Sequence, residues 1–292
     1  MWSVTPNIFV EDQFSVYPEF RGGNPGFVIT PEGIVLLDTP MLPTDAVSWR
    51  DEIAKRGEIC FIINTHHHLD HTGGNYFFPG RVVSHERCKE RFVAPITRVI
   101  ETRKDGEEVV ATLDVVENFR RRVKELNPEG LGLLDRYQLK EPTITFSERL
   151  TLQVGDVLLQ LLHLPGHTPG DIGIYLPRER VFFAGDTFTN GVQPSLAQCL
   201  PLEWVESLKK IEGIHADVII PGHGKACGKK EVRDFTAFIQ QCIDRVRDAV
   251  KKGMSKEEAT ARISLPDSYP ALHSGPWQQR MNVLRLYEIL SQ

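Results

Sequence analysis

The chain has 292 residues, 41% hydrophobic and 25% charged, enough for one large domain or two small ones with a sizeable buried core. Acidic residues exceed basic ones by 39 to 34, and the net charge of -5 argues against a polyanion-binding surface. No apolar run reaches the length of a membrane span, and "MWSVTPNIFVEDQFSV" lacks the pattern of a signal peptide, so a cytoplasmic protein with no nucleic-acid or membrane partner is expected.

In chain order, "GFVIT-PEG-IVLLD" (26–38) predicts two strands around a Pro-Glu-Gly turn. "LPTDAVSWRDEIAKRG" (42–57) has helical spacing and stops on Gly57, and "ICFIIN" (59–64) reads as a strand covered on both faces. Strand, helix and strand alternate here as in an α/β layer. From 84 to 140 the character changes: "RKDGEE" (103–108) reads as a solvated turn and "VVATLDVVENFRRRVKEL" (109–126) as a helix closed by "NPEG". Strands return in the hairpin "LTLQV-GD-VLLQLLHL" (150–164), in "DIGIYL-PRE-RVFFAGD" (171–186) and in "ADVIIPGHG" (216–224). After Lys229 the pattern is helical to about Lys252, then over 255–263, where Ser255 and Glu258 have capping-box spacing, and again over 276–290. Two β-rich halves around a helical insertion at 84–140 predict a layered α/β sandwich over 1–228, with helices of 229–292 packed on the same domain. The five cysteines (Cys60, Cys88, Cys199, Cys227, Cys242) are scattered and form no C-x-x-C pair, which suits free thiols.

The stretch "INTHHHLDHTGGN" (63–75) places His66, His67, His68, Asp70 and His71 within six positions, on a loop between a buried strand and a helix. So many polar rings directly after a buried strand are hard to satisfy without a metal, and imidazole with carboxylate suits zinc, manganese or iron. Three further residues follow apolar strands beside glycine: His167 in "LLHLPGHTPGD", Asp186 in "VFFAGDT" and His223 in "VIIPGHG".

This combination resembles the metallo-β-lactamase superfamily of dinuclear metallohydrolases, over about residues 8–225. The resemblance implies a four-layer αβ/βα sandwich with the metals at one edge of its two sheets, here with a C-terminal helical extension. It implies that His66, His68 and His167 hold one metal, that Asp70, His71 and His223 hold a second, and that Asp186 bridges them. Asp38, ending "IVLLD", matches an aspartate that supports a ligand histidine, and Asp70 also orients the nucleophile or shuttles its proton. His67 is expected to point away, and His85, His163, His215 and His273 match no motif. Two divalent ions, zinc foremost with manganese or iron as alternatives, would set a bridging hydroxide on an ester, lactone, thioester or amide-type bond of a small molecule.

Departures from individual branches sharpen the expectation. Dedicated lactam hydrolases lack the bridging aspartate that Asp186 supplies. "GDTFTNGVQPSL" lacks both the cysteine-glycine-basic stretch of glyoxalase II and the tyrosine of acylhomoserine lactonases. No room is seen for the flavodoxin domain of flavodiiron proteins, and neither an extra domain nor a basic arm of the nuclease branches is seen. A mononuclear iron dioxygenase of the same fold and a phosphodiesterase are the alternatives, and a homodimer is left open. Phe20, Arg21, Phe188 and Asn190 are candidates for the mouth, with a surface or core role favoured for each.

Overall fold

The computed structural model describes residues 1–17, 20–93, 96–102, 108–266, 269 and 275–292. The first half contains β1 (Trp2–Thr5), β2 (Ile8–Val10), the short pair β3 (Ser15–Tyr17) and β4 (Phe20–Arg21), β5 (Gly26–Thr30), β6 (Gly33–Leu37), α1 (Pro43–Ala54), β7 (Ile59–Ile63) and α2 (Leu69–Thr72). It continues with β8 (Arg81–His85), α3 (Glu86–Val93), β9 (Ile96–Thr102), β10 (Glu108–Asp114) and α4 (Val115–Leu126). The second half contains β11 (Ile144–Phe146), β12 (Arg149–Val154), β13 (Val157–His163), β14 (Ile172–Leu176), β15 (Val181–Gly185), α5 (Pro201–Gly213) and β16 (Val218–Pro221). Three helices close the chain: α6 (Lys229–Lys251), α7 (Lys256–Arg262) and α8 (Gly275–Leu290).

Seven strands form one sheet in the order β1-β2-β5-β6-β7-β8-β11, and five form a second in the order β12-β13-β14-β15-β16. Side chains alternate across each strand, so each sheet buries two faces. On β6, Val35 and Leu37 face the second sheet, together with Val157, Leu159 and Leu161 of β13 and Phe183 of β15. Ile34 and Leu36 face the opposite way, against Trp49 of α1 and Phe119 and Val123 of α4. On β15, Phe182 and Ala184 turn outward against Trp204 of α5 and Phe235, Phe238 and Ile239 of α6, with Val283 and Leu286 of α8 in the same cluster. Three apolar layers between four layers of secondary structure make the αβ/βα sandwich, and α6 and α8 complete its outer face. Each fully buried Leu, Ile or Phe contributes about 1.5–3 kcal/mol through removal of its surface from water.

The 84–140 insertion is not wholly helical. Val109–Asp114, which has helical periodicity in the sequence, pairs antiparallel with Ile96–Glu101 of β9, and the helix begins only at Val115. The β-branched Val109, Val110 and Thr112 favour the extended chain, and Asp114 marks the change by capping α4. Of the "RKDGEE" turn, residues 103–107 lie outside the described residues, as does His273, and Glu108 opens β10. Phe188 does not line a mouth: it is fully buried, edge-on to Phe235 at 5.4 Å. Asn190 is tied down, its Nδ2 donating to Lys225 O at 2.8 Å, and the side chains of Phe20 and Arg21 are outside the description. All five cysteines are free. Among the described residues no helix is long and apolar enough to cross a membrane.

The start of α4 can be tested directly. Asp114 accepts from the backbone N–H of Val116 at 2.8 Å and of Glu117 at 3.3 Å. Asp114→Ala removes this cap and should destabilise the fold by about 1 kcal/mol in denaturant titration, with an unchanged slope. A loss of only one or two tenths would show that α4 does not depend on that cap.

Candidate metal centre

The loops that carry the polar cluster leave the same end of both sheets. β7 ends at Ile63, and Asn64 and Asn75 bracket the loop that follows by exchanging amide hydrogen bonds of 2.7 and 3.1 Å. Thr72 Oγ1 donates to His68 O at 3.0 Å and the backbone N–H of Thr39 to His71 O at 2.9 Å, so the loop is held from both sides. Asp186 follows β15, His223 follows β16, and His167 stands on the β13–β14 connection.

The carboxylate of Asp38 underpins the arrangement. Its Oδ1 accepts from Thr65 N at 2.7 Å, and its Oδ2 from Thr65 Oγ1 at 2.7 Å and His71 Nδ1–H at 2.9 Å. Because Thr65 Oγ1 donates to Asp38, it is left to accept from His66 Nδ1–H at 3.2 Å. His223 Nδ1–H donates to Gly22 O at 3.1 Å. Each of these histidines therefore keeps a proton on Nδ1 and turns Nε2 inward.

Two donor sets result. His66, His68, His167 and Asp186 present ligand atoms within 4.8 Å of one another, and so do Asp70, His71 and His223. In the first, His68 Nδ1 lies 3.0 Å from both His66 Nε2 and His167 Nε2. In the second, His223 Nε2 lies 3.5 Å from His71 Nε2 and 3.3 Å from Asp70 Oδ2. Asp186 faces both: Oδ1 is 3.2 Å from His71 Nε2 and 3.3 Å from His223 Nε2, and Oδ2 is 3.5 Å from His167 Nε2 and 3.9 Å from His66 Nε2. Ligands bound at 2.0–2.1 Å in tetrahedral geometry stand about 3.3 Å apart, so these separations fit a cation in each set. Among the described residues His67 belongs to neither set, and its buried Nδ1 has no hydrogen-bond partner.

The electrostatics of the sets differ. Burial pushes the pKa of His68 and of His167 down to about 3 and that of His66 well below its usual value, so these rings are neutral, as ligands must be. Burial also opposes charge on His71 and His223, but the carboxylates of Asp186 and Asp70 outweigh it. His71 is raised well above the ordinary range and His223 to about 10. Burial opposes charge on Asp186 and Asp70 too, yet the facing histidines hold both carboxyls low.

Several residues that shape the site carry no motif in the sequence. The Asn24 amide donates to Pro221 O at 2.9 Å and Gly224 O at 2.7 Å, clamping the His223 turn. A Cβ on Gly23 would sit 2.6 Å from His71 Cε1, so only glycine lets this loop close on the ring. Asp171 accepts from Thr168 N at 2.7 Å and also from Thr168 Oγ1, bracing the His167 turn, and burial raises its pKa to about 8. "RGGNPG" and "HTPGD" have turn composition, and that composition is the one signal of them in the sequence.

The sequence matches the metallo-beta-lactamase superfamily over residues 18–223. It is 27% identical over 262 residues to a linear primary-alkylsulfatase of Pseudomonas sp., an alignment covering 81% of this chain and 49% of that protein, so the chain spans about half the length of that relative. It is 26% identical over 275 residues to a hydroxyacylglutathione hydrolase of Brucella anthropi, covering 92% of this chain and 84% of the relative. A metallo-beta-lactamase family protein from Thermus thermophilus superposes with a TM-score of 0.68 at 19% identity, over 98% of this chain and 94% of that one, and shares the fold.

Two outcomes follow from the geometry. Asp38→Asn replaces one acceptor oxygen by an NH2 group facing an N–H or O–H, and should weaken cation binding by roughly 10–100-fold while secondary structure persists. Chelator competition measures it, and unchanged affinity would remove Asp38 from the supporting role. The second concerns pH. With its pKa raised from 6.5 to about 10, charged His223 stabilises the metal-free fold fully below pH 6.5, and that stability is lost as pH rises through about 10. A cation entering the second set must displace that proton, so binding should release protons and tighten as pH rises across this window. Calorimetry in buffers of different ionisation enthalpy detects the release, and pH-independent binding without release would contradict it.

Proposed function

The chain belongs to the metallo-beta-lactamase superfamily, and we propose that it is a metal-dependent hydrolase with two divalent cations, acting on an ester-type bond of a small molecule. One observation carries the reading: Asp186 turns one oxygen toward each donor set, which is the geometry of a carboxylate shared by two ions. His66, His68 and His167 hold one ion, Asp70, His71 and His223 the other, and Asp186 both. Nitrogen-rich sets with carboxylate suit zinc, with manganese and iron as alternatives. Two such cations supply a nucleophile from water at neutral pH and positive charge for the oxyanion that develops.

The chain's own groups have separate tasks. Asp38, Thr65 and Gly22 O bind the Nδ1–H groups of His71, His66 and His223 and so keep three Nε2 atoms aimed inward. Asp70 is the partly exposed carboxylate of the site, with a side chain 21% accessible, so it can reach incoming water and substrate as well as the second set. There it orients the water and takes its proton. No serine or cysteine nucleophile is needed, and Cys88 and Cys199 are buried thiols with pKa values pushed up to about 12.

Relatives named for alkyl sulfates and hydroxyacylglutathione support an ester-type substrate. A carboxylic ester or thioester is the first choice and a sulfate ester the second, the latter favoured by the match to the alkylsulfatase over 81% of this chain. A mononuclear iron oxygenase is disfavoured because it would leave Asp70, His71 and His223 converging to no purpose.

The test combines stoichiometry with one substitution. Purified protein should carry close to two transition-metal ions per chain by elemental analysis. Asp186→Asn should remain folded, lose cation from the second set first, and lose roughly a hundredfold or more in turnover on a panel of esters, thioesters, lactones, alkyl sulfates and phosphodiesters. A variant with two tightly held ions and near-normal turnover would refute the shared carboxylate. At most one ion per chain after supplementation would refute the dinuclear centre.

A further inference from the structure

The inward-facing histidines do not all rely on the same support. His66, His71 and His223 each have Nδ1 held by an oxygen: Thr65 Oγ1, Asp38 Oδ2 and Gly22 O. His167 also turns Nε2 inward, but its Nδ1 is buried and has no hydrogen-bond partner among the described residues. An imidazole without that second bond keeps its orientation only if packing holds the ring.

The packing comes from Trp204 of α5. Its ring centroid is 5.7 Å from that of His167 at an interplanar angle of 61°, an edge-to-face contact, and its side chain is fully buried. The same indole reaches the Asp186 loop, for Nε1–H donates to Thr187 O at 2.7 Å, one residue beyond the shared carboxylate. On the other side the backbone before His167 lies against the indole: a Cβ on Gly166 would be 2.5 Å from Trp204 Cδ1. Leu200 N donates to Gly166 O at 2.8 Å and Ser207 Oγ to Pro165 O at 2.8 Å, so the first turns of α5 hold the strand end leading to His167. Behind the indole stands Phe235 of α6, with ring centroids 6.1 Å apart.

We propose that Trp204 is a positioning residue for the metal centre. It holds the His167 ring by packing, where His66, His71 and His223 use a second hydrogen bond, and ties that ring to the Asp186 loop through Thr187 O. The proposal rests on the metal-binding reading of the site. It assigns α5, which supplies no ligand, the hold on the His167 ring of the first donor set, while His71 and His223 of the second set have their own supports in Asp38 and Gly22 O.

Trp204→Phe keeps an aromatic face and loses the Nε1–H; Trp204→Leu loses both. Each is prepared metal-free, with circular dichroism and thermal melting in chelator as the control for folding. Stepwise affinity is then read by competition with a chromophoric chelator, and ligand geometry from the visible absorption of the cobalt(II) forms. Trp204→Leu should weaken one of the two ions by about tenfold or more, with the other within about twofold, and should alter the cobalt(II) bands; Trp204→Phe should show a smaller change of the same kind. Unchanged affinities and bands in both folded variants would overturn the proposal. So would a parallel loss at both ions that follows the fall in melting temperature, since that marks a purely structural tryptophan. Should Trp204→Leu fail to fold, Trp204→Phe carries the test. Wild-type protein that binds one ion refutes the dinuclear reading alone, and the role of Trp204 then stands or falls on that ion's affinity. Wild-type protein that binds none removes both.

Discussion

The site depends on one buried carboxylate. Asp38 stands at the end of β6 with φ at 57°, a left-handed conformation that an aspartate adopts at some cost. Three donors hold it there: the backbone and hydroxyl of Thr65, which follows β7, and Nδ1–H of His71. Through His71 it reaches one donor set directly, and through Thr65 Oγ1 and His66 it reaches the other. A single acceptor thus fixes adjacent strand ends and the tautomers of two imidazoles, and the backbone strain is balanced by bonds that only a carboxylate in that place can accept.

Everything else aligns loops with that point. Parallel β6, β7 and β8 direct one end of the larger sheet to the cluster, and parallel β15 and β16 direct the matching end of the smaller sheet. The apolar layer between the sheets sets how far apart the loops stand, so core packing and ligand spacing are one problem. Both donor sets draw on both sheets; the first is flanked by α5, whereas the second is closed by the Gly22–Asn24 loop against the His223 turn. The two sets differ in charge accordingly: three neutral rings in the first, and in the second two protonated rings facing the carboxylates of Asp70 and Asp186.

Most of the fold is legible in the sequence because strand runs and helix stops carry strong local signals, and "HHHLDH" after a buried strand makes little physical sense without a cation. The positions of His167, Asp186 and His223 are legible through their shared setting, an apolar strand followed by glycine. What stays hidden depends on distant neighbours. Gly23 looks like any turn glycine until His71 is seen filling the space of its absent Cβ. Trp204 reads as ordinary helix core, and only its reach to both His167 and Thr187 O distinguishes it. Closeness in sequence to Asp186 makes Phe188 a candidate for the mouth, but the core role favoured for it is the one it has, buried against Phe235. The β10–α4 boundary is legible in principle, since Asp114 with Glu117 has N-terminal cap spacing, but helical periodicity over 109–126 masks it.

The bond between Gly22 O and His223 Nδ1–H joins residues 201 apart in the chain. On a ribosome, the segment that bears four histidines emerges on the order of ten seconds before His223 is added. Through that interval His66, His68, Asp70 and His71 stand without the full set of His167, Asp186 and His223, the residues that complete both donor sets. The Gly22–Asn24 loop can make its bonds only after the His223 turn exists, so closure of this site waits for an early segment of the chain to meet a late one.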